Sequence, residues 1–185
     1  MGRRPQIDRA AILDAAMQLA DERGLEAVTM QAVAQRLAVT PMALYRHMDG
    51  KQALLDGLVE RVLTSFPLSS ADAPWAARLI ATAEAIRSTA KRHPAVFPLL
   101  LTRPAATPGA RIVRDSVQAA LREAGLAEAD AARAERLIST AVLGFAASEA
   151  AGRFRHHAQA VIDEDFAVLL SWLRLVLPPA APTEP

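Results

Sequence analysis

The sequence predicts an all-α protein of about nine helices. Alanine accounts for 41 of the 185 residues, and only 4% of the residues are aromatic. Alanine is the best helix former, whereas strands are enriched in aromatic and β-branched residues. Hydrophobic residues make up 52% of the chain, which is enough for a proper core and excludes an intrinsically disordered protein. No alternating strand pattern and no internal repeat interrupts the helical periodicity.

Four helices are predicted in the N-terminal third of the chain. Gly24 is a natural stop for the first of them. Thr29 has the side chain of a helix N-cap, and Thr40 is followed by proline, which favours the first position of a helix. These signals predict helices over about residues 8–23, 29–37, 41–47 and 51–66.

The run PLSSADAP, residues 67–74, is the predicted boundary between two units. The first unit covers about residues 5–65 and the second about 74–178. Glycine and proline stops divide the second unit into helices over about 74–92, 94–101, 108–124, 128–153 and 158–177. The proline-rich end, residues 179–185, is predicted to be a disordered tail.

Composition and motifs argue against several classes of protein. The chain has no cysteine, which excludes disulfides, thiolate metal sites and cysteine nucleophiles. It has no GxSxG motif, no phosphate-binding glycine loop and no HExxH motif, so we expect no enzyme, no cofactor and no metal site. His156 and His157 are adjacent and therefore point different ways on a helix, so they do not form a ligand pair.

The sequence also shows no signal for a membrane. No uncharged stretch approaches the roughly 18 residues that a membrane helix needs. The start, MGRRPQIDRA, lacks the apolar run of a secretory signal. We therefore expect a soluble, cytoplasmic protein without a membrane partner.

The charged residues are unevenly distributed. The net charge is +1, but residues 78–122 contain eight lysines and arginines against two acidic residues. Such a segment is typical of a surface that meets a polyanion, or of a site for an anionic ligand. Arginines on solvated helix faces are the alternative interpretation.

Residues 29–51, TMQAVAQRLAVTPMALYRHMDGK, contain two short predicted helices joined by a tight turn. With the longer first helix they match the helix-turn-helix plan, in which the second short helix presents one face to the major groove of DNA. The motif proper covers about residues 29–48. On periodicity alone, a generic helical corner remains the alternative. The residues spaced to anchor the recognition helix are Val33, Leu37, Val39 and Leu44.

The amino-acid sequence of this region is more specific for one protein family than its helical periodicity is. A first helix ILDAAMQLADERG is followed by GLEAVTMQAVAQRLAVTPMALYRHMDGKQALLDGL. Thr29 opens the second helix, Tyr45 and His47 lie in the third, and Lys51 opens the fourth. This pattern, over about residues 7–62, resembles the DNA-binding domain of the tetracycline-repressor (TetR) family.

The resemblance implies roles for individual residues of this unit. Hydroxyl, imidazole and ammonium groups suit contacts to phosphates, which fix orientation without reading sequence. The predicted phosphate-contacting residues are Thr29, Thr40, Tyr45, His47 and Lys51. The predicted base-contacting residues are Gln31, Pro41, Met42, Ala43 and Arg46. At Ala38 the family usually has glycine, and this departure predicts a slightly different turn geometry.

Two predicted helices near the C-terminus have broad apolar faces. Intramolecular core is the default interpretation of such stripes. The family resemblance implies instead that they also form a four-helix bundle with the same pair from a second subunit. The predicted interface residues are Leu137, Ala141, Gly144, Ser148, Phe166, Leu169, Leu170 and Leu173.

The family resemblance also implies a cavity for a small hydrophobic or amphipathic ligand among the helices from about residue 75 to 150. Such sites are mostly apolar with a few polar contacts. The candidate lining residues are Phe97, Leu100, Arg114, Val117, Gln118, Leu121, Phe145, Ser148 and Glu149.

The function that follows is DNA-binding transcription regulation. The resemblance implies a ligand-responsive homodimeric repressor of a palindromic operator. A TetR-like activator, or a regulator without a ligand, is the nearest alternative. A helical protein-interaction module that does not bind DNA is the alternative from another class, but it leaves the spacing of Tyr45, His47 and Lys51 unexplained.

Overall fold

The computed structural model describes residues 7–67, 69–70, 72–103 and 107–175. Within these ranges the chain is all-α, as predicted, with no strand and a single 3-10 turn over Leu25–Ala27. No helix in the same ranges is long and apolar enough to cross a membrane. The expected tail over 179–185 lies outside the described residues. The helices are α1 (Arg9–Arg23), α2 (Met30–Arg36), α3 (Pro41–Tyr45), α4 (Gly50–Thr64), α5 (Trp75–Arg92), α6 (Leu99–Thr102), α7 (Pro108–Glu123), α8 (Glu128–Ala150) and α9 (Gln159–Leu175).

The ends of the first helices follow from local hydrogen bonds. A carboxylate oxygen of Asp8 accepts from the backbone N–H of Ala11 at 2.8 Å and caps α1. The helix ends at Gly24, whose φ of 81° lies in the left-handed region that glycine adopts without strain. The hydroxyl oxygen of Thr29 accepts from the N–H of Ala32 at 3.0 Å. The predicted stop and cap are both confirmed.

The helix predicted over 94–101 is mostly a turn. Only Leu99–Thr102 is helical, and the residues before it form hydrogen-bonded turns on the carbonyl of His93. Pro98 explains the difference, because proline has no N–H to donate and disfavours a helical conformation in the residue before it. The helix predicted over 128–153 similarly ends at Ala150.

One apolar cluster extends through both predicted units. It includes Ile12 of α1, Val96 and Phe97 from the turn before α6, and Phe166 of α9. Val96 and Phe97 are fully buried. The chain on either side of residues 67–74 therefore contributes to the same hydrophobic core.

Polar contacts also join the units. The carboxylate of Asp21, on α1, lies 2.9 Å from the Nδ1 of His93 at the end of α5. The carboxylate of Glu60, on α4, accepts from the N–H of Gly109 at 2.8 Å. Gly109 lies in the first turn of α7, where backbone N–H groups have no partner within the helix, so Glu60 supplies one from the other unit.

The basic segment over 78–122 is largely neutralised by acidic residues elsewhere. This favours paired arginines over a continuous basic surface, because four of its eight basic residues reach acidic groups outside the segment. A fifth, Lys91, lies 2.8 Å from Glu149. The four arginine pairs are Arg78–Glu123, Arg87–Glu149, Arg103–Asp56 and Arg122–Glu128.

Candidate functional site

The short helix α3 stands on a buried anchor and presents a row of exposed side chains. Leu44 is fully buried, as is Val33 on α2. Met42 is 69% exposed and Tyr45 is 51% exposed. Leucine placed inward and longer side chains placed outward make α3 a helix that can enter a groove without disturbing the core beneath it.

The turn between α2 and α3 keeps a left-handed residue. Ala38 has a φ of 55°, a conformation that costs an L-residue with a Cβ roughly 1–2 kcal/mol. The N–H of Val39 then donates to the carbonyl of Ala34 at 3.0 Å and closes the turn. Alanine at this position therefore adds strain that glycine would avoid, because glycine adopts a left-handed φ freely.

The other predicted DNA contacts surround α3. The side chains of Thr29, Gln31 and Thr40 are exposed near the starts of α2 and α3, and Lys51 is exposed in the first turn of α4. The remaining residues of the predicted set are Pro41, Arg46 and His47, which are exposed, and Ala43, which is half-buried.

An ion pair fixes α2 against α1. Arg36 makes a two-point contact with Glu22 and donates from Nε to Gln18 at 3.2 Å. This hydrogen bond lowers the pKa of the Glu22 carboxyl and raises the pKa of the Arg36 guanidinium. The pair is exposed, so it joins α2 to α1 while contributing little to stability.

A cavity of about 630 Å³ lies between α4, α5, α6, α7 and α8. Its size falls in the range of small-molecule sites, and its lining is mainly apolar with a few convergent polar groups. The apolar lining residues are Val59, Leu63, Phe66, Ile86, Leu100, Ala110, Val113 and Leu143. The polar ones are Arg103, Arg114, Gln118, Glu135, Arg136, Ser139 and Thr140.

Three of the candidate ligand-contacting residues line this cavity: Leu100, Arg114 and Gln118. The other six do not. Phe97 is fully buried in the main core. Val117 and Leu121 form a second small apolar cluster with Ala131.

The last three candidates lie near the end of α8, away from the cavity lining. The ring of Phe145 packs against those of Phe154 and Phe166, with centroids 5.3 Å apart in both cases. Ser148 is half-buried. Glu149 is bound by basic side chains of α5.

Sequence reasoning missed the acidic and hydroxyl groups that α8 places in the cavity. Glu135 and Ser139 are the clearest cases. A signal for Glu135 was present, because it follows buried Ala131 by four residues and precedes buried Val142 by seven. That is the spacing of an inward helix face, on which a charged residue is unusual.

Comparison with known proteins identifies both halves of the chain. Residues 12–58 match the family described as "Bacterial regulatory proteins, tetR family". Residues 79–173, more than half of the chain, match the "Tetracyclin repressor-like, C-terminal domain". The chain belongs to the TetR family. The matches therefore place it among bacterial transcription regulators rather than among enzymes.

Individual TetR-family proteins are similar over most of the chain. The HTH-type transcriptional repressor DrrR1 of Streptomyces coeruleorubidus is 33% identical over 150 residues, which is 80% of this chain and 56% of that protein. The chain thus spans little more than half the length of this curated relative. A crystal structure of a TetR variant from Acinetobacter baumannii AYE in complex with minocycline superposes with a TM-score of 0.78 at 26% identity, covering 91% of this chain and 94% of that one.

A second solved structure contains DNA. A structure of Mycobacterium smegmatis BioQ matches this chain, and so does a structure of BioQ with its natural double-stranded DNA operator. That structure matches with a TM-score of 0.74 at 26% identity and covers 92% of this chain and 99% of that one. The fold of this TetR-family chain is thus shared with regulators solved with a small molecule and with DNA.

The pair α8 and α9 presents exposed apolar side chains. Leu137 is 67% exposed and Trp172 is 62% exposed. Gly144, on the same face of α8 as Leu137, has no atom within 4 Å of where a Cβ would stand. Val161 and Val168 of α9, which the sequence analysis did not select, are also exposed.

The predicted interface residues divide between this surface and the interior. Phe166 is an exception to the prediction, because it is 4% exposed and packs inside the subunit against Phe145 and under the guanidinium of Arg87. Leu169 and Leu170 are half-buried against the core, and Ala141 and Ser148 are also half-buried. The side chain of Leu173 lies outside the described residues.

Proposed function

We propose that this chain is a homodimeric repressor that binds a palindromic operator through α3 and leaves it when a small ligand fills the cavity. The observation that carries the proposal is the exposed face of α3, with Met42 and Tyr45 outward and Leu44 beneath them. A repressor that binds operator DNA in a bacterium works in the cytoplasm, where the DNA lies.

The proposed division of labour on DNA follows from side-chain chemistry. Tyr45, His47 and Lys51, with the hydroxyls of Thr29 and Thr40, donate to phosphates. Met42 and its neighbours on α3 face base edges. Pro41, Met42 and Ala43 have no two-point donor, so contacts with thymine methyl groups suit them better than guanine recognition. Gln31 and Arg46 supply the polar base contacts of this proposal.

The proposed dimer uses the exposed apolar surface of α8 and α9. A single subunit leaves Leu137, Val168 and Trp172 in water, and a two-fold partner would cover the same residues on both copies. Gly144 allows the two copies of α8 to approach closely. Two recognition helices held by such a bundle would meet successive major grooves, about 34 Å apart.

The proposed response to ligand travels through α4. This helix begins near Lys51 at the DNA-facing end and contributes Val59 and Leu63 to the cavity wall. Glu60 and the pair between Asp56 and Arg103 tie the same helix to the elements around the cavity. A ligand that prefers a shifted α4 lowers operator affinity by linkage, and 1–3 kcal/mol of coupling is about 5–150-fold in affinity.

The relatives support this proposal. DrrR1 is named a repressor, the Acinetobacter TetR variant was solved with minocycline, and BioQ with its operator.

The proposal is tested by selecting bound duplexes from a random DNA library with the purified chain, and by measuring its mass in solution. We expect an inverted repeat among the selected sequences and a mass twice 19.8 kDa. Selection of no common sequence, or of a single half-site by a monomer, contradicts it.

A further inference from the structure

A buried carboxylate faces the cavity without a cation. Glu135 is 8% exposed and lines the cavity from the middle of α8. The hydroxyl of Ser139 donates to its Oε1 at 2.8 Å from one turn along the same helix. Among the ion pairs of the described residues, none joins Glu135 to a lysine, arginine or histidine within 4.0 Å.

Glu149, whose side chain is also buried on α8, shows which partners a buried carboxylate normally has. The side chain of Glu149 is 6% exposed, and it receives Arg87 in two contacts, Lys91 at 2.8 Å and Gln159 at 3.0 Å. Removing a carboxylate from water is costly unless charges and hydrogen bonds replace the water. Glu149 has those partners within the chain, whereas Glu135 has one neutral hydroxyl.

The arginines that line the cavity either have partners within the chain or are exposed to water. Arg103 is held by Asp56 and Gln52 of α4. Arg114 makes an interaction of its own within the chain, and Arg136 is exposed to water. The group in this cavity that lacks a counter-charge is therefore the carboxylate of Glu135.

We infer that the cavity selects ligands that carry a cationic nitrogen, such as a protonated amine, and that Glu135 binds this nitrogen. The inference rests on the proposed ligand-responsive function and names the chemical class of the ligand. The ligand's apolar body would pack against the side chains that α4 and α5 contribute, including Val59, Leu63 and Ile86. The Ser139 hydroxyl donates to Glu135 and keeps its lone pairs for a ligand N–H.

Three fluorescent probes of nearly equal shape separate charge from size: 9-(aminomethyl)anthracene, 9-anthracenemethanol and anthracene-9-carboxylate. At pH 7 the first is cationic, the second neutral and the third anionic. Titration of the full-length protein measures the three dissociation constants. We expect the wild type to bind the amine at least about tenfold more tightly than the alcohol, as a charge-assisted hydrogen bond in a buried site provides.

Two variants then locate the effect. Glu135→Gln keeps the size and the Ser139 contact but removes the charge, and we expect it to lose the preference for the amine while binding the alcohol within about threefold of the wild type. Glu128→Gln makes the same change at an exposed position of α8, where Glu128 pairs with Arg122 on the surface. This control should keep the preference for the amine.

The inference is overturned if Glu135→Gln still prefers the amine, if the wild type prefers the carboxylate, or if it binds none of the three probes. Because the amine–alcohol comparison is made on the wild type, it decides the matter even if the variant folds poorly. Operator binding without any probe is measured in parallel. Its loss would contradict the proposed function, whereas normal operator binding without amine selectivity contradicts only this inference.

Discussion

The guanidinium of Arg87 and the carboxylate of Glu149 meet through two contacts, Nε to Oε2 at 2.6 Å and Nη2 to Oε1 at 2.7 Å. Arg87 lies on α5 and Glu149 near the end of α8. Arg87 also reaches Asp163 of α9 at 2.6 Å and lies 4.7 Å from the ring centroid of Phe166. One arginine thus holds together the three helices that carry most of the second unit.

Stability should fall in acid because of Glu149. Burial raises the pKa of this carboxyl, but hydrogen bonds from Arg87, Lys91 and Gln159 outweigh that effect and lower it to about 2. The stabilisation is therefore complete above the pKa of the unfolded chain, about 4.3, and is lost as the pH falls toward 2. Glu149→Gln should lower the free energy of unfolding by roughly 3 kcal/mol at pH 7 and by little at pH 2.

Urea unfolding at the two pH values measures this difference. Glu128→Gln serves as the control, because its exposed pair with Arg122 contributes at most about 1 kcal/mol. An equal loss for Glu149→Gln at both pH values would contradict the role given to its charge.

A charge on the exposed surface of α8 should separate the proposed dimer. Leu137→Asp places a carboxylate where a two-fold partner would bury it, which costs several kcal/mol without a cation. Light scattering should then show the 19.8 kDa monomer. Ile112→Asp is the matched control, since Ile112 is 54% exposed on α7, outside the helix pair of the proposed interface. A dimer that survives Leu137→Asp places the interface elsewhere.

Removing the lysine at the start of α4 should weaken binding to all DNA. Lys51→Ala should lower affinity for operator and scrambled duplex alike, because a phosphate contact is independent of sequence. The slope of log affinity against log salt should become shallower by about 0.9 for each phosphate that the variant no longer neutralises. Binding isotherms at several salt concentrations measure both quantities.

Changes at the centre of α3 should alter sequence preference instead. Met42→Ala should cost about 1–3 kcal/mol at each base pair it contacts and leave the salt slope unchanged. Operators substituted at one symmetric pair of positions reveal which bases are involved. If Met42→Ala weakens all duplexes equally while Lys51→Ala shifts preference, α3 faces DNA in another orientation.

Glycine at the turn should stabilise the protein. Ala38→Gly removes roughly 1–2 kcal/mol of left-handed strain from the folded state. The greater chain entropy of glycine also stabilises the unfolded state, by less than about 1 kcal/mol. A net gain of up to about 1 kcal/mol is expected in thermal or urea unfolding. Ala167→Gly is the control, because it makes the same change at an exposed position in the middle of α9. It should lower the free energy of unfolding by about 0.5–1 kcal/mol.

The first unit could be predicted closely because its signals are local. The cap at Thr29, the proline after Thr40 and the inward spacing of Val33 and Leu44 each act within a few residues. The structure reproduces the helix order and the exposed face of α3 that these signals imply. What those exposed residues contact remains a prediction.

The cavity could not be predicted so closely because it forms between helices distant in sequence. Val59 and Leu63 follow the apolar spacing of α4 like ordinary core residues, yet they line the cavity. Phe145 follows the stripe of α8 and instead packs against other aromatic rings. Periodicity shows which face of a helix is inward, but the packing of its neighbours decides whether that face meets protein or empty space.

The shared core has a consequence for exchanging parts between regulators. Val96 and Phe97 belong to the second unit in sequence but are buried in the same cluster as Ile12 of the first. Cutting the chain near residue 67 would leave apolar surface of α1 and α4 uncovered. A chimaera that joins the first unit to the second unit of another regulator must therefore include the segment around Val96 and Phe97. The first unit is not an interchangeable module.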